Sequence, residues 1–504
     1  MRTRTWLLPA AAAAVAFAVH AALNPGYGFF RDELYFIICG RHPALGYVDQ
    51  PPLVPLLAAL SQSAGVSLFA LRLVPAIFCA ASIFVTCRIV QELEGGGFAQ
   101  ILAAAAVFFA PVLTTFGGIL STDTPGLWLW PLAALLVLRL TRGADPRAWL
   151  GVGAALGIAF QSKYAVVFFA AALLAGVALT PERRIYRTPW FAAGMLLGAA
   201  IALPNVVWQA AHAFPILELL RNGQHGKNVV LAPGQYLLQQ VFLLNPVLTI
   251  VALLGLAWVL FRAPLRFLGY AYLLLLAAMI ALHGKDYYPA DVYPYLFAAG
   301  AVPVERWTQR ARFVSRPAVL AIVTAAGMWL LPFALPVMSE AHFAQYRAHV
   351  LNALGAKPAE SEHHKPSPLG QEYADMHGWP QLAGTVAGVY ATLSPQDRAR
   401  VAIVASNYGE AAAIDFFGRP YGLPPALSGH NQYFLWGTHG RSGDVLIDVG
   451  GDCGAGAHLF RHAERAATFS APYSMPYESD LPIMLCRGIK RPLATVWPAV
   501  KMYI

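Results

Sequence analysis

Three carboxylates, Asp32, Glu33 and Asp49, fall in one short stretch, FFRDELYFIICGRHPALGYVDQPP (29–52), of a chain in which only 12% of residues are charged. A carboxylate held within hydrogen-bond reach of a hydroxyl can take its proton, and a second can orient the first or hold a cation. Each acid also has a plainer reading. Asp32 and Glu33 open a helical pattern, where acids favour the helix dipole and Arg31 is a ready partner; Asp49 precedes Gln50-Pro51-Pro52 and so fits a helix cap. Their convergence in one loop makes the stretch the first candidate centre, with Asp32 as the base.

Further candidates lie beyond it. Asp123, in Ser-Thr-Asp-Thr-Pro, begins an apolar run, as a cap or as a member of the site. Lys163 interrupts a second run at Gln161-Ser162-Lys163-Tyr164. About 14 residues of half-span precede it, near 20 Å of helix, so its ammonium belongs below the outer surface, facing a partner or cavity unless it snorkels outward. Lys285, Tyr287 and Tyr288, in His-Gly-Lys-Asp-Tyr-Tyr, are suitable donors to a lipid phosphate, or else an interfacial aromatic belt with its lysine. The polar loop 212–233 adds Arg221, His225 and Lys227. No Walker loop, Rossmann glycine fingerprint, HExxH or Gly-x-Ser-x-Gly is present, and His363, His364 and His430 lack ligand spacing.

The elements that must position these groups are membrane helices. A mean hydropathy of +0.53 over 504 residues excludes an ordinary soluble domain. The net charge of +9 is carried mainly by arginines in short segments between apolar runs, a topology signal with no aromatic-basic stripe for nucleic acid. Met1 to Leu23, with Arg2 and Arg4, reads as a retained first span, a cleavable signal peptide being the alternative. Further runs lie at 67–91, 98–120, 124–141, 190–211, 235–261, 264–283, 288–304 and 317–338. Between 148 and 180 the arginines on both flanks fall on one side only if the chain turns back, giving a hairpin and about eleven spans in all.

After about Glu340 the composition turns polar, and the loop 360–368 leads into a mixed segment. Strands are expected at 401–406 and 443–450, helices at 373–393 and 410–417. The expected architecture is an α-helical polytopic membrane domain (1–339) and a small α/β domain (340–504) outside the cytoplasm. There a Cys453–Cys486 disulfide is open to form, while Cys39, Cys79 and Cys87 read as apolar filler.

FFRDELYFIICGRHPALGYVDQPPLVPLLAAL, STDTPGLWLW, QSKYAVVFF, LLNPV and GKDYYPADVYPYLFAAGAVPVE, with SNYGEAAAIDFFGRPYGLPPALSGHNQYFLWG in the tail, resemble the bacterial branch of the dolichyl-phosphate-mannose-protein mannosyltransferase-like glycosyltransferases, family 39 and its relatives of the GT-C fold class. The resemblance implies an inverting transferase of a bacterial inner membrane. It would use a polyprenyl-phosphate sugar on the periplasmic side and a lipid, glycan or protein acceptor. It places Asp32 as the catalytic aspartate, Glu33 as its acidic neighbour, and Asp49 at the position that helps bind a divalent metal in the lipid A aminoarabinose transferase relatives. Those relatives have lysine next, where this chain has Gln50, so Lys163 and Lys285 are expected to supply the phosphate's counter-charge. A flippase or transporter of a lipid-linked sugar is the competing class, although no inverted repeat is evident.

Overall fold

The apolar runs fold as helices, described here from a computed structural model over residues 6–355, 362–454 and 458–504. Arg2, Arg4 and the start of the 360–368 loop lie outside those residues. Four helices, Leu68–Glu92, Pro189–Ala211, Ala263–Ala281 and Arg312–Phe333, are long and apolar enough to cross a membrane. Two further pairs reach that length only across a bend: Gly97–Phe109 with Pro111–Gly118 at 69°, and Pro233–Leu244 with Pro246–Leu260 at 110°.

Among the described residues there are thus four such spans by length and composition, or six if each bent pair is one. Leu7–Leu23, Gly126–Thr141, Ala148–Phe160 and Val166–Ala178 are shorter apolar helices. The run expected to span at 235–261 is broken at Asn245, whose φ of 84° ends one helix while its side chain caps the next through Val247 N at 2.9 Å. Proline as the first residue of that next helix favours the break.

The hairpin at 148–180 is present. Ala148–Phe160 and Val166–Ala178 flank a turn, and the Trp149 indole N–H donates to the Ile185 carbonyl at 3.1 Å, so the segment's beginning meets the residues that follow its end. Arg142 and Arg147 therefore share one end of the bundle with Arg183 and Arg184, as the charge pattern requires.

The tail forms a five-stranded sheet of β1 (Ala402–Ala405), β2 (Ala426–Leu427), β3 (Val445–Val449), β4 (Phe460–Phe469) and β5 (Leu481–Ile489), in the order β2-β1-β3-β5-β4. β1 pairs parallel with β2 and β3, and β5 pairs antiparallel with β3 and β4. Cys453 and Cys486 are joined, tying β5 to the turn after β3. Strands β4 and β5 escape the sequence reading; β4 is solvated over most of its length and lacks an apolar face.

The 339/340 boundary does not divide the packing. Leu34, Tyr35, Ile37, Ile38, Tyr47, Val54 and Leu71 share one buried cluster with Trp379, Ile403, Tyr408, Ala411, Tyr433 and Ile447. The first loop is thus packed into the tail's core, and apolar burial presses the two together.

Candidate active site

Arg72, at the start of the helix Leu68–Glu92, fixes the first loop. Its buried guanidinium donates to both Glu33 oxygens at 3.1 and 3.0 Å, and to the carbonyls of Asn24, Gly26 and Gly28 at 2.5, 3.0 and 2.7 Å. Glu33 also accepts from Phe30 N at 2.9 Å and Leu120 N at 3.1 Å. With no exposed surface and both oxygens engaged, Glu33 offers nothing to a substrate. The binding role expected for it gives way to a positioning one.

Asp32, one residue earlier on the helix Arg31–Arg41, points about 100° away from Glu33 around the axis and keeps 32% of its side chain exposed. Its Oδ1 accepts the Tyr408 hydroxyl at 2.7 Å, with Arg31 Nε at 3.5 Å. Arg31 is itself held by the tail: it donates to the Tyr477 hydroxyl at 2.9 Å and lies 3.6 Å from Asp375 Oδ2. Gly409 allows this approach, since a Cβ there would stand 2.4 Å from Arg31 Cγ. Burial pushes the Asp375 carboxyl up to about 6 against the pull of Arg31.

Asp49 accepts the Tyr35 hydroxyl at 2.9 Å. Burial raises its carboxyl to about 7, with the Tyr35 bond opposing and the Asp32 charge adding to the rise. The neighbouring Gln50 side chain is buried with neither its amide nitrogen nor its oxygen bonded. The loop rests on the helix Pro189–Ala211, where Asn205 and Gln209 donate to the carbonyls of Leu45 and Tyr47, both at 3.1 Å.

Two lysines face this loop from other segments. Lys285 Nζ lies 2.7 Å from Glu362 Oε1, and Lys227 Nζ 3.7 Å from the same oxygen. Burial would raise Glu362, but the two lysines outweigh it and hold the carboxyl down at about 2. Burial lowers Lys227; burial also pulls Lys285 down, but Glu362, Tyr288 and Asp32 together raise it. Both lysines feel the Asp32 charge, and Lys227 also acts on Asp49, which places these groups in one electrostatic neighbourhood. The Lys285 turn is propped from below, Tyr236 donating to the Lys285 carbonyl at 3.0 Å and Gln240 to that of Asp286 at 2.8 Å.

Lys163 sits in the hairpin turn and grips Asp123 through both oxygens at 2.6 and 2.7 Å. Its ammonium lies 4.9 and 4.3 Å from the rings of Tyr287 and Tyr288, a cation–π enclosure that joins this pair to the Lys285 turn. Behind it Asp291 is buried with one oxygen unbonded, against Gly126, where a Cβ would come within 1.9 Å of Asp291 Oδ2.

Asp123, Lys163, Lys285, Tyr287 and Tyr288 are thus drawn together by direct contacts, and Asp32 and Asp49 join them through electrostatic coupling to Lys285 and Lys227. Arg221 is not: it is exposed on the helix Pro215–Asn222, and among the described residues no ion pair joins it to the site; Lys227 enters instead. Asp49, where a metal is implied, belongs to no group of three His, Cys, Asp or Glu donors among the described residues. Among the described residues, the one convergence of three His, Cys, Asp or Glu donors is Asp448 with Cys453 and Cys486, whose sulfurs are spent on each other. Arg72, Tyr408, Asp375, Tyr477 and Glu362 were not read from the sequence as members of the site. For Tyr408, Asp375 and Tyr477 no local pattern announces contact with a loop hundreds of positions earlier, and Glu362 gives no sign of its pairing with lysines of two other segments.

Residues 49–208 match the family model of dolichyl-phosphate-mannose-protein mannosyltransferase. Over 191 residues the chain is 27% identical to the lipid A galacturonosyltransferase RgtD of Rhizobium johnstonii, a match covering 36% of this chain and 39% of that protein. In fold it is similar to ArnT from Cupriavidus metallidurans bound to undecaprenyl phosphate, with a TM-score of 0.63 and 14% identity over 96% of this chain and 98% of the other. The apo state of the same protein gives 0.61 at 14% identity over 95% and 97%. At that identity the likeness is one of fold.

Proposed function

We propose, on the premise that this chain is a PMT/ArnT-like membrane protein of the GT-C fold, that it moves a sugar from a polyprenyl-phosphate donor to an acceptor hydroxyl on the external, periplasmic face. The observation that carries the reading is the part-exposed carboxylate of Asp32, held by the Tyr408 hydroxyl, with Lys285 and Lys163 each paired to an acid in the same cluster. A donor phosphate replaces Glu362 at Lys285 and Lys227, exchanging one carboxylate for a group of higher charge and more acceptor oxygens. Lys163, with Tyr287 and Tyr288, flanks the same phosphate.

The acceptor hydroxyl then gives its proton to Asp32 while its oxygen attacks the anomeric carbon. The bond from that carbon to the phosphate oxygen breaks, and polyprenyl phosphate leaves with the electron pair. Attack opposite the leaving group inverts the anomeric centre. Phosphate needs no proton to depart, so one base suffices. Tyr408 and Arg31 hold Asp32 in place, and Glu33 with Arg72 holds the helix that carries it. No step requires a metal ion.

A transporter would set its ionisable groups near the membrane midplane, at interrupted helices in matching halves; here they gather at helix ends and loops. The reading is tested with purified protein and radiolabelled polyprenyl-phosphate sugars. Label should leave the lipid with wild type and stay on it with Asp32→Asn. Near-normal transfer by that variant removes Asp32 from the reaction, and label that crosses the bilayer still attached to lipid identifies a transporter.

A further inference from the structure

At the other end of the bundle, three arginines from three separate helix ends line one cleft of about 280 Å³, together with Leu93, Glu94, Trp258, Pro264 and Leu265. Arg142 follows the helix Gly126–Thr141, Arg262 follows Pro246–Leu260 by two residues, and Arg306 lies in the last turn of Tyr293–Trp307. The first and third of these helices begin beside Asp123 and Asp291, so the cleft is a helix length, roughly 24 Å, from the charged cluster.

The arginines converge rather than merely accumulate. Arg262 and Arg306 lie 4.5 and 5.8 Å from the centroid of the same Trp258 ring, and Arg142 is oriented by a hydrogen bond to the Glu92 carbonyl. Arg139 nearby is neutralised by Glu92 at 2.8 Å. Within the cleft, three guanidinium groups face one carboxylate, that of Glu94.

The surroundings fix the depth. Arg262 immediately precedes the membrane-length helix Ala263–Ala281, and the flanking Phe261 and Trp307 are 85% and 67% exposed. An arginine cleft rimmed by outward-facing aromatic rings at the end of a span sits at the level of lipid headgroups. We infer that this cleft binds the phosphate of an anionic phospholipid, whose acyl chains run along the exposed apolar faces of the adjoining helices. Basic pockets between membrane helices take such headgroups.

Arginines at this end also serve to orient the chain, so the test must separate a site from a charge excess. The full chain, purified in micelles doped with phosphatidylglycerol or phosphatidylcholine, is examined by native mass spectrometry for retained lipid. Phosphatidylglycerol should be retained in preference, and its affinity should fall roughly fivefold for each of Arg142→Gln, Arg262→Gln and Arg306→Gln. The control Arg183→Gln/Arg184→Gln/Arg187→Gln, which removes three charges outside the cleft from the same end against one in each cleft variant, should bind as wild type does. The single variants are read at unchanged thermal midpoint, which keeps the result independent of the triple variant's folding. Equal retention of the two lipids, equal losses in cleft and control variants, or displacement of phosphatidylglycerol by millimolar inorganic phosphate would each overturn the assignment.

Discussion

The Tyr408 hydroxyl donates to Asp32 Oδ1 at 2.7 Å across a sequence separation of 376 residues. The carboxylate proposed as base thus owes its orientation to the domain farthest from it in the chain. A hydrogen bond to a charged group is worth about 1.5–3 kcal/mol, so Tyr408→Phe should lower transfer by roughly 10- to 100-fold. In an Asp32→Asn background the same change should add almost nothing. Independent losses in a double-mutant cycle would show that the two residues do not act together.

Glu362 occupies the two lysines that the proposed mechanism reserves for phosphate. Its carboxyl is held near 2, below the ordinary 4.5, so the stability it contributes is present above pH 4.5 and is lost as pH falls toward 2. Glu362→Gln should flatten that acid loss in thermal unfolding. The same variant should bind undecaprenyl phosphate more tightly at neutral pH, because the competing anion is gone; weaker binding would mean that Glu362 orders the lysines rather than competing for them.

Asp49 behaves in the opposite sense. Burial raises its carboxyl from 3.8 to about 7, so the folded state favours the neutral acid, and stability falls as pH rises from about 4 through 7. Asp49→Asn should therefore gain stability over wild type progressively across that interval. A melting temperature difference that is flat with pH would place Asp49 in a more solvated or more strongly paired setting.

Breaking one side of the Glu33–Arg72 pair should unfold the loop rather than merely slow a reaction. Removing one partner of a buried pair costs about 3–5 kcal/mol, so Glu33→Ala or Arg72→Ala should sharply lower the thermal midpoint and the yield of folded protein. Asp32→Asn, at a half-exposed position, should leave both close to wild type. Comparable losses in all three would merge the structural and chemical roles assigned to these neighbours.

What the sequence could disclose depended on whether the decisive contact was local. Lys163 betrays itself because it interrupts an apolar run at a depth where an unpaired ammonium is costly, and the structure supplies Asp123 and the two tyrosines as its enclosure. Asp32 and Glu33 are indistinguishable as letters; one helical step sends one toward Tyr408 and the other into Arg72. The bend at Asn245 is a backbone conformation that hydropathy averaging cannot register, which is why an expected span resolves into two helices at 110°. Tyr408, Asp375 and Tyr477 lie in a tail whose polar pattern carries no sign of the loop it covers.

The shared core of the first loop and the tail also sets an order of events during biosynthesis. Asp32 emerges from the ribosome early and Tyr408 near the last, while chains fold broadly from the N-terminus onward. A nascent chain interrupted before the sheet is made would carry the aspartate without the phenol, the arginine clamp without its tyrosine, and Leu34, Ile37 and Ile38 without cover. Premature products should therefore lack the aspartate's partner and expose an adhesive apolar loop.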